Sequence, residues 1–405
     1  MSVELERAQR LERFLAQDPT NTTLLRDLAT TYQAAGAYEQ ARHFFEKLRA
    51  QVGNEPTLLN ALGSLYLTMG EHEAAIETLT LALQSDPEAA PLLFNLGYTE
   101  FSRGHTDAAR HLFEQALEKD PQNTEYHYFL ALAYDELGEH QASEQSLETL
   151  LSLEAGHLRG NLFYALNELQ TGQLEQARRR AEQVLQQHPK AVEALQLKAE
   201  IALLDFEAQK ALAYLRQAES VDPDNAQTQI LLGQSLLVLQ RLKQARRAFE
   251  QALSTDEKAS QALIGLGWSA LFQEELPSAR QAFERALTQS PEEADAHSGL
   301  AMTLLAEEKF AEAEQRVASA LKLDPTHPTA LLIQGALAEK KGDPTRGRAL
   351  VQTLFQEHRF SPFGWNMKEM SDKFEHSKSG QQVLNKYRRY MRMKKTSQGH
   401  PKPLG

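Results

Sequence analysis

The sequence predicts an all-α solenoid, a stack of antiparallel helix hairpins, and three observations lead to that prediction. The chain of 405 residues is rich in Ala, Leu, Gln and Glu, all of which favour helix. It also repeats with a period of 34 residues, ten times without an insertion, from residue 22 to residue 361. Proline or glycine stands in the period where one helix would end and the next would begin.

The first element is a charged, amphipathic segment, which we expect to form a capping half-repeat helix within residues 1–21. This segment lacks the apolar stretch of a signal peptide, and no apolar run reaches the roughly 18 residues needed to cross a bilayer. The absence of cysteine excludes disulfides and thiolate metal sites and fits a reducing compartment. We therefore expect a cytoplasmic protein.

Ten repeats follow, and small residues hold the same register in all of them. The eighth position of every repeat is glycine or alanine, and the twentieth is alanine, glycine or serine. Small residues let two helices approach closely, so positions 1–14 and 18–31 are predicted to pair as a hairpin. One hairpin cannot bury its apolar face alone, and stacking is therefore required. The repeats are residues 22–55, 56–89, 90–123, 124–157, 158–191, 192–225, 226–259, 260–293, 294–327 and 328–361.

The second repeat reads PTLLNALGSLYLTMGEHEAAIETLTLALQSDPEA. Its pattern residues are Leu62, Gly63, Tyr66, Gly70, Ala75, Ala82 and Pro87. This pattern resembles the tetratricopeptide repeat family, and the resemblance extends over residues 22–361. The resemblance implies a right-handed superhelix whose concave face is lined by the first helix of each hairpin and is used to bind proteins.

Four repeats depart from the pattern at position 15, in the turn between the two helices. The other six have glycine there, and the turn is expected to need a positive φ. The sixth to ninth repeats instead have Phe206, Gln240, Glu274 and Glu308. Because a side chain in the left-handed region costs on the order of 1 kcal/mol, we expect these turns to be strained or rebuilt.

An apolar stripe runs along the first helices at positions 2, 5, 9 and 12, apart from the positions that pack within each hairpin. A solvated stripe should be polar, so its apolar character predicts that a partner occupies it. We expect a groove for an apolar or amphipathic protein segment, anchored by aromatic residues. The alternative is that curvature of the stack buries the stripe within the protein. The predicted contact residues are Phe94, Tyr98, Phe101, Tyr128, Leu162, Leu166, Ile230, Ile264, Trp268 and Met302.

The carboxyl-terminal segment differs from the body in charge. Residues 362–405 contain ten basic and three acidic residues, whereas residues 1–361 contain 33 and 52, a net charge of −19. We expect residues 362–395 to form capping helices and residues 396–405 to be a disordered tail. A second interpretation is that a basic helix face contacts a membrane surface or another polyanion. That face consists of Lys386, Arg388, Arg389, Arg392 and Lys395.

The sequence has no pattern typical of catalysis or metal binding. The histidines are scattered, none forms a His-x-x-x-His pair with a third carboxylate ligand, and no phosphate-binding loop is present. Arg178, Arg179 and Arg180 are predicted to lie on an outward, solvated face. We therefore expect no enzymatic activity, no cofactor and no nucleic-acid partner.

Together these observations predict a scaffold or adaptor that binds a partner protein in the concave groove. Two alternatives stay open: a holding chaperone for a secreted or pilus-type subunit, and a tethering or regulatory subunit that uses the basic helix. Peripheral contact with a membrane and self-association through the apolar groove are compatible with the same sequence.

Overall fold

The computed structural model describes residues 3–205, 207–343 and 345. The regular structure of these residues is α-helical throughout, which confirms the predicted all-α fold. Contacts divide the chain into unit 1, up to Gly160, and unit 2, from Asn161. The helices are α1 (Val3–Leu15), α2 (Thr22–Ala34), α3 (Tyr38–Val52), α4 (Pro56–Thr68), α5 (His72–Ser85), α6 (Ala90–Ser102), α7 (Thr106–Lys119), α8 (Thr124–Glu136), α9 (His140–Leu153), α10 (Leu158–Gln170), α11 (Leu174–Gln187), α12 (Val192–Leu204), α13 (Ala208–Val221), α14 (Ala226–Val238), α15 (Leu242–Thr255), α16 (Ser260–Leu271), α17 (Leu276–Gln289), α18 (Ala294–Ala306), α19 (Phe310–Leu323) and α20 (Pro328–Lys340).

Consecutive helices pack as antiparallel hairpins, and within each unit one hairpin packs against the next. We call the first helix of a hairpin the A helix and the second the B helix, so that α2 is an A helix and α3 a B helix. Local sequence sets where A helices begin. Asn21 and Asn225 accept hydrogen bonds from the amides of Leu24 and Thr228, and Pro56 occupies the first turn of α4, where it costs no hydrogen bond.

Glycine at position 8 permits close approach between helices, as predicted. The ring of Phe283, on α17, lies between Gly267 of α16 and Gly299 of α18. A Cβ atom would lie 2.6 Å from Cε1 of that ring if added to Gly267, and 2.2 Å if added to Gly299. Gly299 is at position 6 rather than position 8, so the ring is clamped from both sides by glycines of successive repeats. Phe283 is in consequence fully buried.

A tyrosine at position 11 connects an A helix to the preceding B helix. Tyr66 donates a hydrogen bond to Glu46, and Tyr134 donates one to Glu114, each at 2.8 Å. Burial, followed by this hydrogen bond and the carboxylate charge, raises the pKa of each tyrosine to about 12. These bonds link neighbouring hairpins and were not predicted from the sequence.

In the seventh and ninth repeats, a polar side chain at position 4 contacts the turn that precedes its helix. Nε2 of Gln229 donates to the carbonyl oxygen of Pro223 at 3.2 Å, and Nε2 of His297 lies 3.0 Å from the carbonyl oxygen of Pro291. Both side chains are buried. Burial lowers the pKa of His297, although the bond to the proline carbonyl acts in the opposite direction. The imidazole of His297 therefore gives up its proton more readily than that of a solvated histidine.

Arg178, Arg179 and Arg180 were predicted to lie on an outward, solvated face. Only Arg179 is exposed. Arg178 pairs with Asp205, a residue of the next repeat. Arg180 pairs with the buried Glu168 at 2.7 Å, and its guanidinium lies over the ring of Tyr164 at 3.9 Å from the centroid. Asp205 therefore holds Arg178. Glu168 and the ring of Tyr164 hold Arg180, and the local charge pattern could not predict either arrangement.

The turns that lack glycine have the same backbone conformation as the turns that contain glycine. Gln240, Glu274 and Glu308 adopt φ values of 59°, 61° and 60°, close to the 75° of Gly70. The turn after α14 closes with a hydrogen bond from the amide of Arg241 to the carbonyl of Leu236, which terminates the helix. These turns are strained and not rebuilt, and Phe206 lies outside the described residues.

The predicted carboxyl-terminal elements also lie outside the described residues. They are the capping helices at 362–395, the tail at 396–405, and the basic residues Lys386, Arg388, Arg389, Arg392 and Lys395. In the part of the chain that the structure describes, no helix combines the length and the apolar character needed to span a bilayer.

Candidate protein-interaction surfaces

Adjacent A helices contact one another within each unit and form a continuous surface, which we call the A-face. In unit 1 the contacts run from α4 to α6 and from α6 to α8. In unit 2 they run from α12 through α14, α16 and α18 to α20. The residues at positions 2, 5, 9 and 12, on which the predicted stripe lies, belong to this surface.

The A-face of unit 1 carries an aromatic cluster in which Tyr98 is the most open of the predicted residues. Tyr98 is 37% exposed, and its ring meets Phe129 of α8 edge-on at 5.1 Å between centroids. Phe94 is half-buried because it stacks on Tyr126 at 4.6 Å. Phe101 is also half-buried and packs against the hairpin core. Tyr98 is thus presented to solvent on a rigid aromatic base.

A charged pair borders this cluster. Tyr128 is half-buried, and the guanidinium of Arg159 lies over its ring at 4.7 Å from the centroid. Arg159 also pairs with Glu125. Burial raises the pKa of the Tyr128 hydroxyl, while the charge of Arg159 lowers it. Sequence reasoning missed Arg159, Glu125 and Phe129; the first two occupy position 2 of successive repeats, which could have suggested their pairing.

The predicted residues of unit 2 divide by exposure. Ile230 is 5% exposed and Ile264 is 9% exposed, so both belong to the core and offer little surface to a ligand. Leu162 is half-buried, and Leu166 on the same helix is 41% exposed. Met302 is half-buried beside the core. The stripe is therefore packed in some repeats and open in others.

Trp268 lies between the core and the surface. Its ring meets the fully buried ring of Phe283 edge-on at 5.6 Å, and it contacts Phe272 at 5.8 Å on the other side. Phe272, the C-cap residue of α16, is 57% exposed. One end of the indole is therefore part of the hairpin core, and the other end supports an exposed aromatic ring.

Three exposed apolar residues of the A-face in unit 2 were missed by the sequence analysis. Phe272 and Val238 occupy position 13, just beyond the predicted stripe, and Val238 is 47% exposed. Leu332, at position 5 of α20, is 38% exposed. Position 13 falls where the A helix ends, and its direction depends on the turn that follows, which explains why a helical spacing rule did not include it.

Acidic residues accompany the apolar surface of unit 2. Glu200, at position 9 of α12, is half-buried, and burial raises the pKa of its carboxyl group. Glu274 and Glu308 lie in the strained turns at the ends of α16 and α18 and are exposed. Among the described residues, neither of these two turn carboxylates has an ion-pair partner, although the adjoining Glu275 pairs with Arg246.

The described residues contain no group of three or more His, Asp or Glu side chains arranged to hold a metal ion. What the structure does present, in both units, is a scaffold of stacked hairpins with aromatic and aliphatic side chains partly open on one face. This architecture defines a helical-repeat protein of the kind used to bind other proteins.

Comparison with family models agrees with that class. One tetratricopeptide repeat model matches residues 8–65, 66–133, 100–157 and 270–337, and a second tetratricopeptide repeat model matches residues 230–294. The chain belongs to the tetratricopeptide repeat family. A model of subunit 3 of the anaphase-promoting complex, or cyclosome, also matches residues 170–252. No curated protein matches the chain significantly.

Solved structures share the fold at low sequence identity. A tetratricopeptide repeat protein from Parabacteroides merdae ATCC 43184 is 18% identical with a TM-score of 0.52, covering 61% of this chain and 98% of that one. The APC/C hetero-tetramer Cut9–Hcn1 is 16% identical with a TM-score of 0.55, covering 94% of this chain and 81% of that one. At these identities the likeness establishes the fold alone.

Proposed function

We propose that this protein is a cytoplasmic, non-catalytic scaffold or adaptor that binds an apolar or amphipathic segment of a partner protein along its A-faces. The tetratricopeptide repeat fold indicates a protein-interaction scaffold. The observation that carries the finer proposal is the exposure of large apolar side chains on or at the end of A helices whose other apolar residues are buried or half-buried. Phe272 at 57% and Tyr98 at 37% are the leading examples.

Covering these side chains would supply binding free energy. An aromatic side chain presents about 150–250 Å² in total. Covering the exposed 57% of Phe272 would remove roughly 100 Å² from water, which contributes about 2–3 kcal/mol. Tyr98 would add less apolar area, but its hydroxyl can form a hydrogen bond at the edge of the interface. Because Phe129 and Trp268 hold both rings in place, little side-chain entropy would be lost on binding.

The test is affinity capture from the native cell with matched surface variants. The double variant Tyr98→Asp/Phe272→Asp places a charge on each A-face at a position that is already exposed, so the fold should tolerate it. The control is Leu153→Asp/Leu323→Asp, which changes residues of similar exposure, 42% and 40%, at the ends of B helices. Circular dichroism verifies that both variants are folded.

Loss of one or a few partners in the A-face variant, with the same partners retained by the control, would support the proposal. Equal capture by wild type and the A-face variant would exclude the A-faces as the binding surface. Loss of many unrelated polypeptides that share only exposed apolar segments would favour a holding chaperone over an adaptor.

A further inference from the structure

We infer that residues 381–395 of this chain dock on the A-face of unit 2, with apolar side chains against Trp268 and Phe272 and basic side chains toward Glu274 and Glu308. The inference rests on the proposed function, because it uses the same kind of surface. It adds a segment of the same chain as an occupant of the A-face of unit 2, where an outside partner would compete with it, whereas the A-face of unit 1 is free of that competition.

The first support is the apolar surface itself. Val238, the last residue of α14, is 47% exposed, and Phe272, the C-cap residue of α16, is 57% exposed. The Phe272 ring extends the partly buried indole of Trp268, and Met302 on α18 is half-buried beside the same core. Side chains from three adjacent A helices thus form an apolar strip that could accept one face of a helix.

The second support is the pair of strained glutamates at the end of that strip. Glu274 and Glu308 have φ values of 61° and 60°, a conformation that costs on the order of 1 kcal/mol for a residue other than glycine. The equivalent turns of unit 1 use glycine, as at Gly70 and Gly104. Neither carboxylate gains an ion pair within the described part of the chain. Residues held in such sparsely populated backbone conformations cluster at binding sites and ligand clamps.

The third support is the chemistry of the segment. Residues 381–395, QQVLNKYRRYMRMKK, contain six basic residues and no acidic residue. Helical spacing would place Leu384, Tyr387 and Met391 on one face. A basic segment with apolar residues at helical spacing complements an apolar strip that ends at two carboxylates, and it does so on a body whose net charge is −19.

The length of the chain allows this contact. The last described helix, α20, ends at Lys340 and packs on α18, which packs on α16. At 8–10 Å per packed helix pair, α16 lies about 20 Å from α20. About 40 residues separate Lys340 from Gln381. At about 3.3 Å per extended residue, 40 residues reach at most roughly 130 Å, which is well beyond this distance.

The test uses Trp268 as a reporter in the full chain. The chain has two tryptophans, and Trp365→Phe leaves Trp268 as the single emitter. In this background, the docked segment should protect Trp268 from quenching by acrylamide. The triple change Lys386→Glu/Arg389→Glu/Arg392→Glu should remove that protection, and high salt should act in the same direction. The matched control is Lys368→Glu/Lys373→Glu/Lys378→Glu, which alters the net charge equally outside the segment.

Variants of unit 2 test the other side of the contact. Glu274→Gln/Glu308→Gln removes both charges and should lower the docking equilibrium constant about twofold to fivefold per residue, as exposed ion pairs do. The control Glu250→Gln/Glu284→Gln changes two exposed glutamates of the B helices α15 and α17. The variant Glu274→Gly/Glu308→Gly gives a second route, because it removes the charges while relieving strain, so that docking should fall as thermal stability rises.

The result that supports the inference is protection of Trp268 that is independent of protein concentration and is lost only in the segment and turn variants. Unchanged quenching in the segment triple variant would overturn it. Protection that increases with protein concentration would also overturn it and would assign the surface to a second copy of the chain. Since no outside partner is present in this assay, its failure would leave the capture experiment with Tyr98→Asp/Phe272→Asp as an independent test of the proposed function.

Discussion

Replacing Gln240 by glycine should stabilise unit 2. The residue occupies the left-handed turn between α14 and α15 with φ of 59°, and its side chain is exposed. The turn keeps the hydrogen bond from the Arg241 amide to the Leu236 carbonyl whichever residue is present, because that bond involves backbone atoms only. The substitution therefore changes backbone strain and little else.

The magnitude follows from two opposing effects. A residue with a Cβ atom in the left-handed region costs about 1–2 kcal/mol, which glycine avoids. Glycine in turn loses about 0.5–1 kcal/mol more conformational entropy on folding. The net expectation is a gain of about 0.5–1 kcal/mol for Gln240→Gly. The reverse change at the equivalent turn of unit 1, Gly70→Gln, should cost the same amount, since Gly70 has φ of 75° and open space around it.

Native-state hydrogen exchange is the suitable assay, because repeat proteins open locally and the midpoint of a global unfolding transition would average over all repeats. Amide protection should rise in α14 and α15 of the Gln240→Gly variant and fall in α4 and α5 of the Gly70→Gln variant. A neutral or destabilising Gln240→Gly, or a tolerated Gly70→Gln, would refute the strain argument.

Three further perturbations have defined outcomes. Gly299→Ala should destabilise unit 2 by about 1–3 kcal/mol in urea unfolding, because the new methyl group would overlap the clamped ring of Phe283. The wild-type protein should lose stability below about pH 6.5, because burial lowers the folded-state pKa of His297 and the unfolded chain then binds the proton more tightly. The variant His297→Gln should abolish that loss. A pH-independent wild type would contradict this. Tyr66→Phe should cost about 1 kcal/mol through the lost bond to Glu46, and a spectrophotometric titration should lose one phenol titrating near pH 12.

The repeat pattern predicted most of the fold because it is made of local signals. Glycine or alanine at position 8 indicates where helices approach, and Gly267 against Phe283 is one outcome. Glycine in the turns indicates a positive φ, and the structure extends that requirement to Glu274 and Glu308. Helix spacing, turn conformation and small-residue contacts depend on residues a few positions apart or one period apart, which a single sequence displays directly.

The candidate surfaces were predicted less well, because exposure depends on neighbours from other repeats. Ile230 and Leu332 both occupy position 5, yet the first is 5% and the second 38% exposed. Periodicity assigns them the same role, and only packing of adjacent helices distinguishes them. For the same reason the sequence favoured Trp268, while the more open ring on that surface is Phe272.

The sequence alone thus determined the period, the hairpins and the face on which a partner would be sought. Only the tertiary structure decided which side chains are open on that face, that Arg159 lies over Tyr128, and that Glu274 and Glu308 are held under backbone strain. The physical reason is that secondary structure responds to residues nearby in the chain, whereas solvent exposure and pairing of charges are set by side chains that stacking brings together from different repeats.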